Sequence, residues 1–89
     1  MTVGSPGNGG NFGFDPLAVR CSTGTTVAFE WTGDGGAHDI AFQGDTETSD
    51  IYSQSGRHFE VTLDEPGVYL YACRPHEGIG QRGGIVVEE

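Results

Sequence analysis

Three side chains near two turns of this sequence have the chemistry of soft-metal ligands. Cys73 ends an apolar run, His76 follows three residues later across Pro75, and His38 comes just after a glycine-rich turn. One thiolate and two imidazoles are the ligand set of trigonal copper sites, and the Cys-x-x-His spacing lets one tight turn present two of them. Pro75 stiffens that turn and withholds a backbone N–H that would otherwise be available to the thiolate.

Zinc and disulfide chemistry stay open for the same residues. Cys-x-x-His also occurs in zinc sites, and Cys21 would complete a Cys₂His₂ set, although these residues lack the paired spacing of structural zinc sites. Cys21 could instead form a disulfide with Cys73, which suits a small exported domain. We favour neither, because Cys21 lies in a polar context near the start of its strand and a disulfide would leave the histidines unused. Cys21 is then expected to be a small buried or half-exposed thiol.

Short apolar runs predict the strands that position these residues. Residues 25–31 and 57–63 alternate apolar and polar side chains with a period of two, and residues 68–73 and 84–87 are apolar runs bounded by turn residues. The alternation in 57–63 places His58 on the outward, solvated face. The pattern predicts an all-β Greek-key sandwich or barrel of seven to eight strands, with no amphipathic helix longer than one turn.

The length of 89 residues corresponds to one domain. Residues 1–11 are rich in glycine, serine, proline and asparagine with a single valine, so we expect a flexible N-terminal tail there. A single domain is then expected over residues 12–89.

The charge balance excludes some partners. Thirteen acidic and four basic residues give a formal net charge of −9, and all four basic residues are arginine. Nucleic acid is therefore excluded as a partner, since basic residues supply most of that affinity. An acidic surface without lysine favours a protein kept soluble in a very salty medium over an ordinary acidic domain.

Membrane and export signals are missing from the sequence itself. No run approaches the roughly 20 apolar residues that span a bilayer, and the first residues lack the features of a signal peptide. The chain is either cytoplasmic or the mature part of a longer precursor.

A family resemblance sharpens these interpretations. Residues 71–84 resemble the copper loop of plastocyanin-like proteins, Tyr-x-Cys-x-Pro-His-x-x-x-Gly-Met-x-Gly, and more narrowly the chain resembles halocyanin domains of halophilic archaea. The further segments that carry the resemblance are 12–16, 23–27, 30–32 and 36–38. The resemblance implies a cupredoxin fold, one type 1 copper that alternates between Cu(I) and Cu(II), and three strong ligands, which are His38, Cys73 and His76.

Two positions depart from the family pattern. The family's axial methionine falls at Gln81, whose amide oxygen is a harder ligand that favours Cu(II) and lowers the reduction potential; the alternative is that Gln81 points to solvent. Asp39 stands where the family has an asparagine that ties the ligand loops together, and an ionised Asp accepts hydrogen bonds but cannot donate them. We expect Asp39, Pro75 and Tyr71 to surround the ligands, with Tyr71 packing below the metal.

The function expected from this set is a one-electron shuttle rather than an enzyme. Electrons would pass through His76 on an exposed surface that also contains Ile79, Gly36 and Gly78. The expected partners are other redox proteins or membrane respiratory complexes, bound transiently by a monomer on the extracytoplasmic side of the membrane, where a longer precursor would anchor it. The alternative is a zinc-stabilised or metal-free β-sandwich that acts as an interaction module.

Arginines stand on both sides of this expected surface. Arg74 and Arg82 flank His76 in the sequence, and they either steer an acidic redox partner or offset the local acidic field.

Overall fold

The fold, seen in a computed structural model that describes residues 1–44 and 48–89, is built almost entirely of β-strands. Its strands are β1 (Thr2–Gly7), β2 (Gly10–Asp15), β3 (Ala18–Ser22), β4 (Thr25–Trp31), β5 (Ala41–Phe42), β6 (Gly56–Leu63), β7 (Gly67–Ala72) and β8 (Arg82–Glu88). A short 3-10 helix, Arg74–Ile79, joins β7 to β8. The predicted all-β class is confirmed. Within the described residues, no helix has the length and apolar character needed to cross a bilayer.

The strands form two four-stranded sheets. The order is β2-β1-β4-β6 in the first sheet and β3-β8-β7-β5 in the second. The β1–β4 and β3–β8 pairs are parallel, and the other pairs are antiparallel. Two parallel strands that are neighbours in a sheet cannot be joined by a tight hairpin, so the chain between them is long. In this fold that connecting chain crosses from one sheet to the other several times.

The core lies between the two sheets because alternate residues of each strand face inward. In β4, Val27, Phe29 and Trp31 are buried while the residues between them are exposed or half-buried. Each such side chain contributes about 1.5–3 kcal/mol of burial free energy. The buried apolar residues are Val3, Phe14, Val27, Phe29, Trp31, Ile40, Phe42, Val61, Leu63, Tyr71, Cys73, Ile85 and Val87.

Strand β1 corrects the expectation of a flexible tail over residues 1–11. It lies between β2 and β4 in the first sheet, and Val3 is fully buried. The Val3 carbonyl accepts a hydrogen bond from the Thr32 amide at 2.9 Å. The segment has no alternating apolar pattern because the residues buried beside Val3 are the small Gly4 and Ser5. A Cβ at Gly4 would lie 2.7 Å from the Asp34 carbonyl oxygen in the loop that follows β4, which leaves no room there for a larger side chain.

The prediction that His58 faces outward into solvent is wrong. His58 is half-buried, and its ring stacks on Tyr52 with centroids 4.2 Å apart and planes 10° from parallel. It also packs edge-on against Trp31 at 5.3 Å. The β4–β6 pairing shifts register between Phe29 and Glu30, which leaves His58 out of the ladder. This bulge breaks the period of two on which the prediction depended.

The burial of β1 can be tested with two valines. Val3→Ala should lower the free energy of unfolding by about 2 kcal/mol, because it removes buried methyl groups and leaves a cavity. Val68→Ala, at a residue that is 67% exposed, should change it by less than about 0.5 kcal/mol. Urea unfolding of the two variants measures the difference. Equal effects would contradict the packing of β1.

Candidate metal centre

His38 is fixed through its backbone. It forms an isolated antiparallel bridge with Tyr52, in which each backbone N–H donates to the other residue's carbonyl oxygen at 2.9 Å. The same His38 carbonyl also accepts a hydrogen bond from Trp31 Nε1 at 3.0 Å. His38 itself is 1% exposed. These bonds fix the backbone of His38, a role that sequence reasoning missed for Trp31 and Tyr52.

The His38 ring has a defined orientation. Its Nε2 donates to the Asp34 carbonyl oxygen at 2.8 Å. Because a carbonyl oxygen only accepts, Nε2 carries the proton and Nδ1 of the neutral ring is an acceptor. Glycines make this approach possible, since a Cβ at Gly4 would lie 3.1 Å from Nε2 and one at Gly35 would lie 3.0 Å from it. The loop and β1 therefore direct an unprotonated Nδ1 toward the site.

Cys73 and His76 lie on the turn that follows β7. Cys73 is the N-cap of the 3-10 helix, Pro75 occupies its first turn, and the His76 amide donates to the Cys73 carbonyl at 3.1 Å. The turn places Cys73 Sγ 3.4 Å from His76 Nδ1 and 3.7 Å from His38 Nδ1. The structure thus brings together the three side chains that the sequence singled out.

Gln81 turns its amide oxygen toward the same point. Gly80 ends the 3-10 helix in the left-handed region at φ 100° and returns the chain to the site. Gln81 is fully buried, and its Nε2 donates to the Gly13 carbonyl at 3.1 Å. Its Oε1 lies 2.9 Å from His38 Nδ1 and 3.1 Å from His76 Nδ1. The alternative in which Gln81 points to solvent is therefore wrong.

The converging atoms fit a copper ion. The ligand atoms of His38, Cys73 and His76 all lie within 4.8 Å of one another. His38 Nδ1 and Gln81 Oε1 are both acceptors and face each other at 2.9 Å. Buried acceptors in contact are unfavourable unless a donor or a cation lies between them. A thiolate with two imidazoles suits copper, and an amide oxygen is an established weak axial ligand of type 1 sites.

The surroundings of Cys73 act on its thiol. Burial raises the pKa of Cys73, and the nearby backbone amides of Asp39 and His76 lower it in part. The negative charge of Asp39 raises this pKa further and the positive charge of Arg74 lowers it. A bound metal ion has to displace the thiol proton, because the thiolate is the ligand form.

Asp39 connects the loop that carries His38 to the loop that carries Cys73. It is fully buried, and its Oδ1 accepts a hydrogen bond from the Arg74 amide at 2.7 Å. Its Oδ2 accepts a second hydrogen bond from Arg74 Nε. Asp39 thus ties the loops together as an acceptor, without donating from its side chain. The sequence contained no signal for this pair, because its members are 35 residues apart.

Tyr71 and Pro75, the other residues expected around the ligands, occupy different environments. The Tyr71 ring is in the core, with centroids 5.0 Å from Phe14 and 5.3 Å from Phe42. Its hydroxyl is directed at Gly83, where an added Cβ would lie 2.6 Å from it. This hydroxyl has no hydrogen-bond partner within residues 1–44 and 48–89, and burial raises the pKa of Tyr71. Pro75 is exposed.

His76 reaches the surface of the protein. It is half-buried, and its ring packs against Phe12 with centroids 4.6 Å apart. Ile79, in the same turn, is 50% exposed, and Gly36 and Gly78 are exposed as well. The contact with Phe12 was missed at the sequence level, although the segment 12–16, which carries part of the family resemblance, contains this aromatic residue and could have suggested it.

Cys21 lies outside this cluster. It is half-buried on β3, where it pairs with Val87 of β8. Cys21 and Cys73 are both in the described part of the chain, and both are free thiols. The disulfide and the Cys₂His₂ zinc site that includes Cys21 are therefore not formed.

Comparison with known proteins finds sequences that are similar to this chain. Residues 1–88 match the sequence model described as copper binding proteins, plastocyanin/azurin family. Halocyanin from Natronomonas pharaonis is 45% identical over 91 residues, which cover 99% of this chain and 55% of the halocyanin. Plastocyanin from Scenedesmus fuscus is 30% identical over 99 residues, which cover 99% of both chains. This chain spans about half the length of several curated relatives that it matches.

A solved structure is similar in three dimensions. A purple cupredoxin from Nitrosopumilus maritimus superposes with a TM-score of 0.71 at 28% sequence identity, covering 82% of this chain and 79% of that one.

Metal binding at Cys73 should release the thiol proton. Because burial raises the pKa of this thiol, the metal-free chain holds the proton at neutral pH. The affinity should therefore rise with pH, by about tenfold per unit for this one proton, until the pH passes the raised pKa. Titration with Co(II), followed through its thiolate absorption, measures the slope. Cys73→Ala lacks the thiolate absorption, so its Co(II) affinity is measured by competition. Its affinity should depend on pH with a slope that is smaller by one proton. An equal slope would contradict the assignment of Cys73 as a ligand.

Proposed function

Because this chain belongs to the plastocyanin/azurin family of copper-binding proteins, we propose that it is a blue-copper carrier of single electrons between redox partners. His38, Cys73 and His76 are the proposed strong ligands, and Gln81 is the proposed axial ligand. The observation that carries this proposal is the convergence of one sulfur, two imidazole nitrogens and one amide oxygen on a single point. Copper bound by such a set supplies a one-electron couple between Cu(I) and Cu(II).

The protein's own contribution is rigidity and exclusion of water. Cys73 and Gln81 are fully buried, and His38 is 1% exposed. His38 is held by its ring bond to Asp34 and by its backbone bonds, and Gln81 is held by the Gly13 carbonyl. Ligands fixed by surrounding hydrogen bonds keep one geometry, which is the condition for rapid gain and loss of an electron without rearrangement.

His76 is the proposed route for electrons. It is the one proposed ligand that is half-buried, whereas the other three are buried. Ile79 supplies apolar contact area beside it, and Gly36 and Gly78 allow a partner to approach closely. A surface of this kind suits brief contact with other redox proteins or membrane respiratory complexes, made by a monomer.

The small number of histidines in the chain favours electron transfer without catalysis. The chain has three histidines, and two of them are proposed ligands. The third, His58, is stacked on Tyr52 away from the cluster. Family members of the plastocyanin type are electron carriers, and a second metal centre for oxygen or nitrite chemistry would require further ligands. The competing function is a zinc-stabilised or metal-free interaction module.

The proposed location is the extracytoplasmic side of the cell membrane, with a longer precursor as the anchor. Similarity to halocyanin and plastocyanin supports this location. The formal net charge of −9 supports a salty setting, because carboxylates keep a protein soluble where salt screens their mutual repulsion.

Copper binding separates the two functions. One equivalent of Cu(II) added to the metal-free chain should produce an intense visible band from the thiolate–Cu(II) bond. Cys73→Ser should abolish this band, whereas Cys21→Ser, the matched control outside the cluster, should keep it. The interaction-module alternative predicts no such band in the wild-type chain and no dependence on Cys73.

The axial ligand can be tested by changing one donor atom. Gln81→Met should raise the reduction potential, because a thioether is softer than an amide oxygen and favours Cu(I). We expect a rise of at least about 60 mV, the one-electron equivalent of a tenfold change in the equilibrium constant. Gln43→Met, at an exposed position, is the control and should leave the potential unchanged. If voltammetry gives the wild-type value for Gln81→Met, Gln81 does not bind the copper.

A further inference from the structure

We propose that Arg74 is a positioning residue of the metal centre, where it binds the buried Asp39 carboxylate, locks the two ligand loops together and balances a negative charge beside the ligands. The locking of the loops stands on contacts within the chain alone. The effect of the charge on the reduction potential rests on the proposed function.

The contacts between the two loops run in both directions. The Asp39 carboxylate accepts two hydrogen bonds from Arg74, one from the backbone amide at 2.7 Å and one from Nε. In return, the Asp39 backbone amide lies close to the Cys73 sulfur. The Arg74 amide belongs to the peptide bond directly after Cys73. The direction in which the chain leaves Cys73 is therefore set by Asp39, the neighbour of His38.

This ion pair differs from the others in the described part of the chain. In the Arg20–Glu88 and Arg57–Glu30 pairs, both side chains are more than half exposed. In the Asp39–Arg74 pair, the arginine side chain is 56% exposed but the carboxylate is 0% exposed. Exposed pairs contribute little because water screens them, whereas a buried carboxylate that loses its partner stays uncompensated. The Asp39–Arg74 pair therefore stabilises the site, whereas an exposed ion pair would contribute little.

The charge of the pair also acts on the metal. Asp39 places a negative charge next to a ligand, which favours the more positive oxidation state of the ion. Arg74 offsets this effect because its cationic group lies against the same carboxylate. Loss of the arginine charge should lower the reduction potential, and loss of the aspartate charge should raise it.

A double-mutant cycle tests the locking of the loops. The variants are Arg74→Gln, Asp39→Asn and the double variant, with urea unfolding measured on the copper-loaded chain and repeated without metal. Arg74→Gln should raise the unfolding equilibrium constant by at least about tenfold, and the two single effects should be non-additive by a similar factor.

The exposed Arg57–Glu30 pair is the matched control for this cycle. Arg57→Gln and Glu30→Gln should each change the unfolding equilibrium constant by less than about fivefold, with little coupling between them. Additive effects of the Asp39 and Arg74 substitutions, or a coupling no larger than that of the control pair, would overturn the locking of the loops.

The reduction potential tests the charge. It should fall in Arg74→Gln, rise in Asp39→Asn and return toward the wild-type value in the double variant. Arg74→Lys should keep a potential near the wild-type value, because it keeps the charge. It should still lose stability, because an ammonium group does not reproduce the hydrogen bond from Nε. A purely structural arginine would leave the potential of Arg74→Gln at the wild-type value, and that result would overturn the charge role.

The two proposals fail in different ways. If the wild-type chain gives no one-electron couple with copper, the proposed function is wrong, and the metal-free unfolding cycle still decides whether Arg74 locks the loops. If the couple is present but the cycle shows no coupling, the function stands and the role of Arg74 is wrong.

Discussion

The hydrogen bond from His38 Nε2 to the Asp34 carbonyl decides which ring nitrogen faces the metal centre. The residues around His38 leave room for this hydrogen bond. Gly4 and Gly35 lack the side chains that would collide with the ring, and Trp31 Nε1 donates a hydrogen bond to the His38 carbonyl. With Nε2 committed as a donor, Nδ1 is left as an acceptor that has no proton to offer. A metal ion bound by this buried nitrogen and the facing amide oxygen would satisfy both acceptors.

The chain has few basic residues, so the position of each arginine is informative. Four arginines face thirteen acidic residues, and one of the four is committed to a carboxylate that water does not reach. Arg74 is therefore not simply an exposed charge that steers an acidic partner, which was one of the interpretations open at the sequence level. Arg82, by contrast, makes no ion pair with any of the described residues. If arginine steers a partner toward His76, Arg82 is the better placed to do so.

Local sequence patterns predicted much of the fold and the central metal cluster. Alternating apolar residues correctly predicted the long strands, because a strand buries every second side chain. The same rule failed at His58, where a bulge in the β4–β6 ladder turns the ring onto Tyr52. It also failed at β1, where the strand is buried through Val3 and small residues. In both cases the pattern was overridden by pairing with a strand that is distant in sequence, which is β4 for both His58 and β1.

The sequence by itself determined that Cys73 and His76 would meet, because three residues around a proline form one tight turn whatever the rest of the chain does. The chemistry of its side chain also singled out His38, and the family resemblance singled out Gln81. Tertiary structure alone decided how these side chains are oriented. The Gly13 carbonyl that turns the Gln81 oxygen inward is 68 residues away, and the arginine that compensates Asp39 is 35 residues away. Hydrogen-bond partners at such separations are set by the packing of the two sheets, so no local pattern records them.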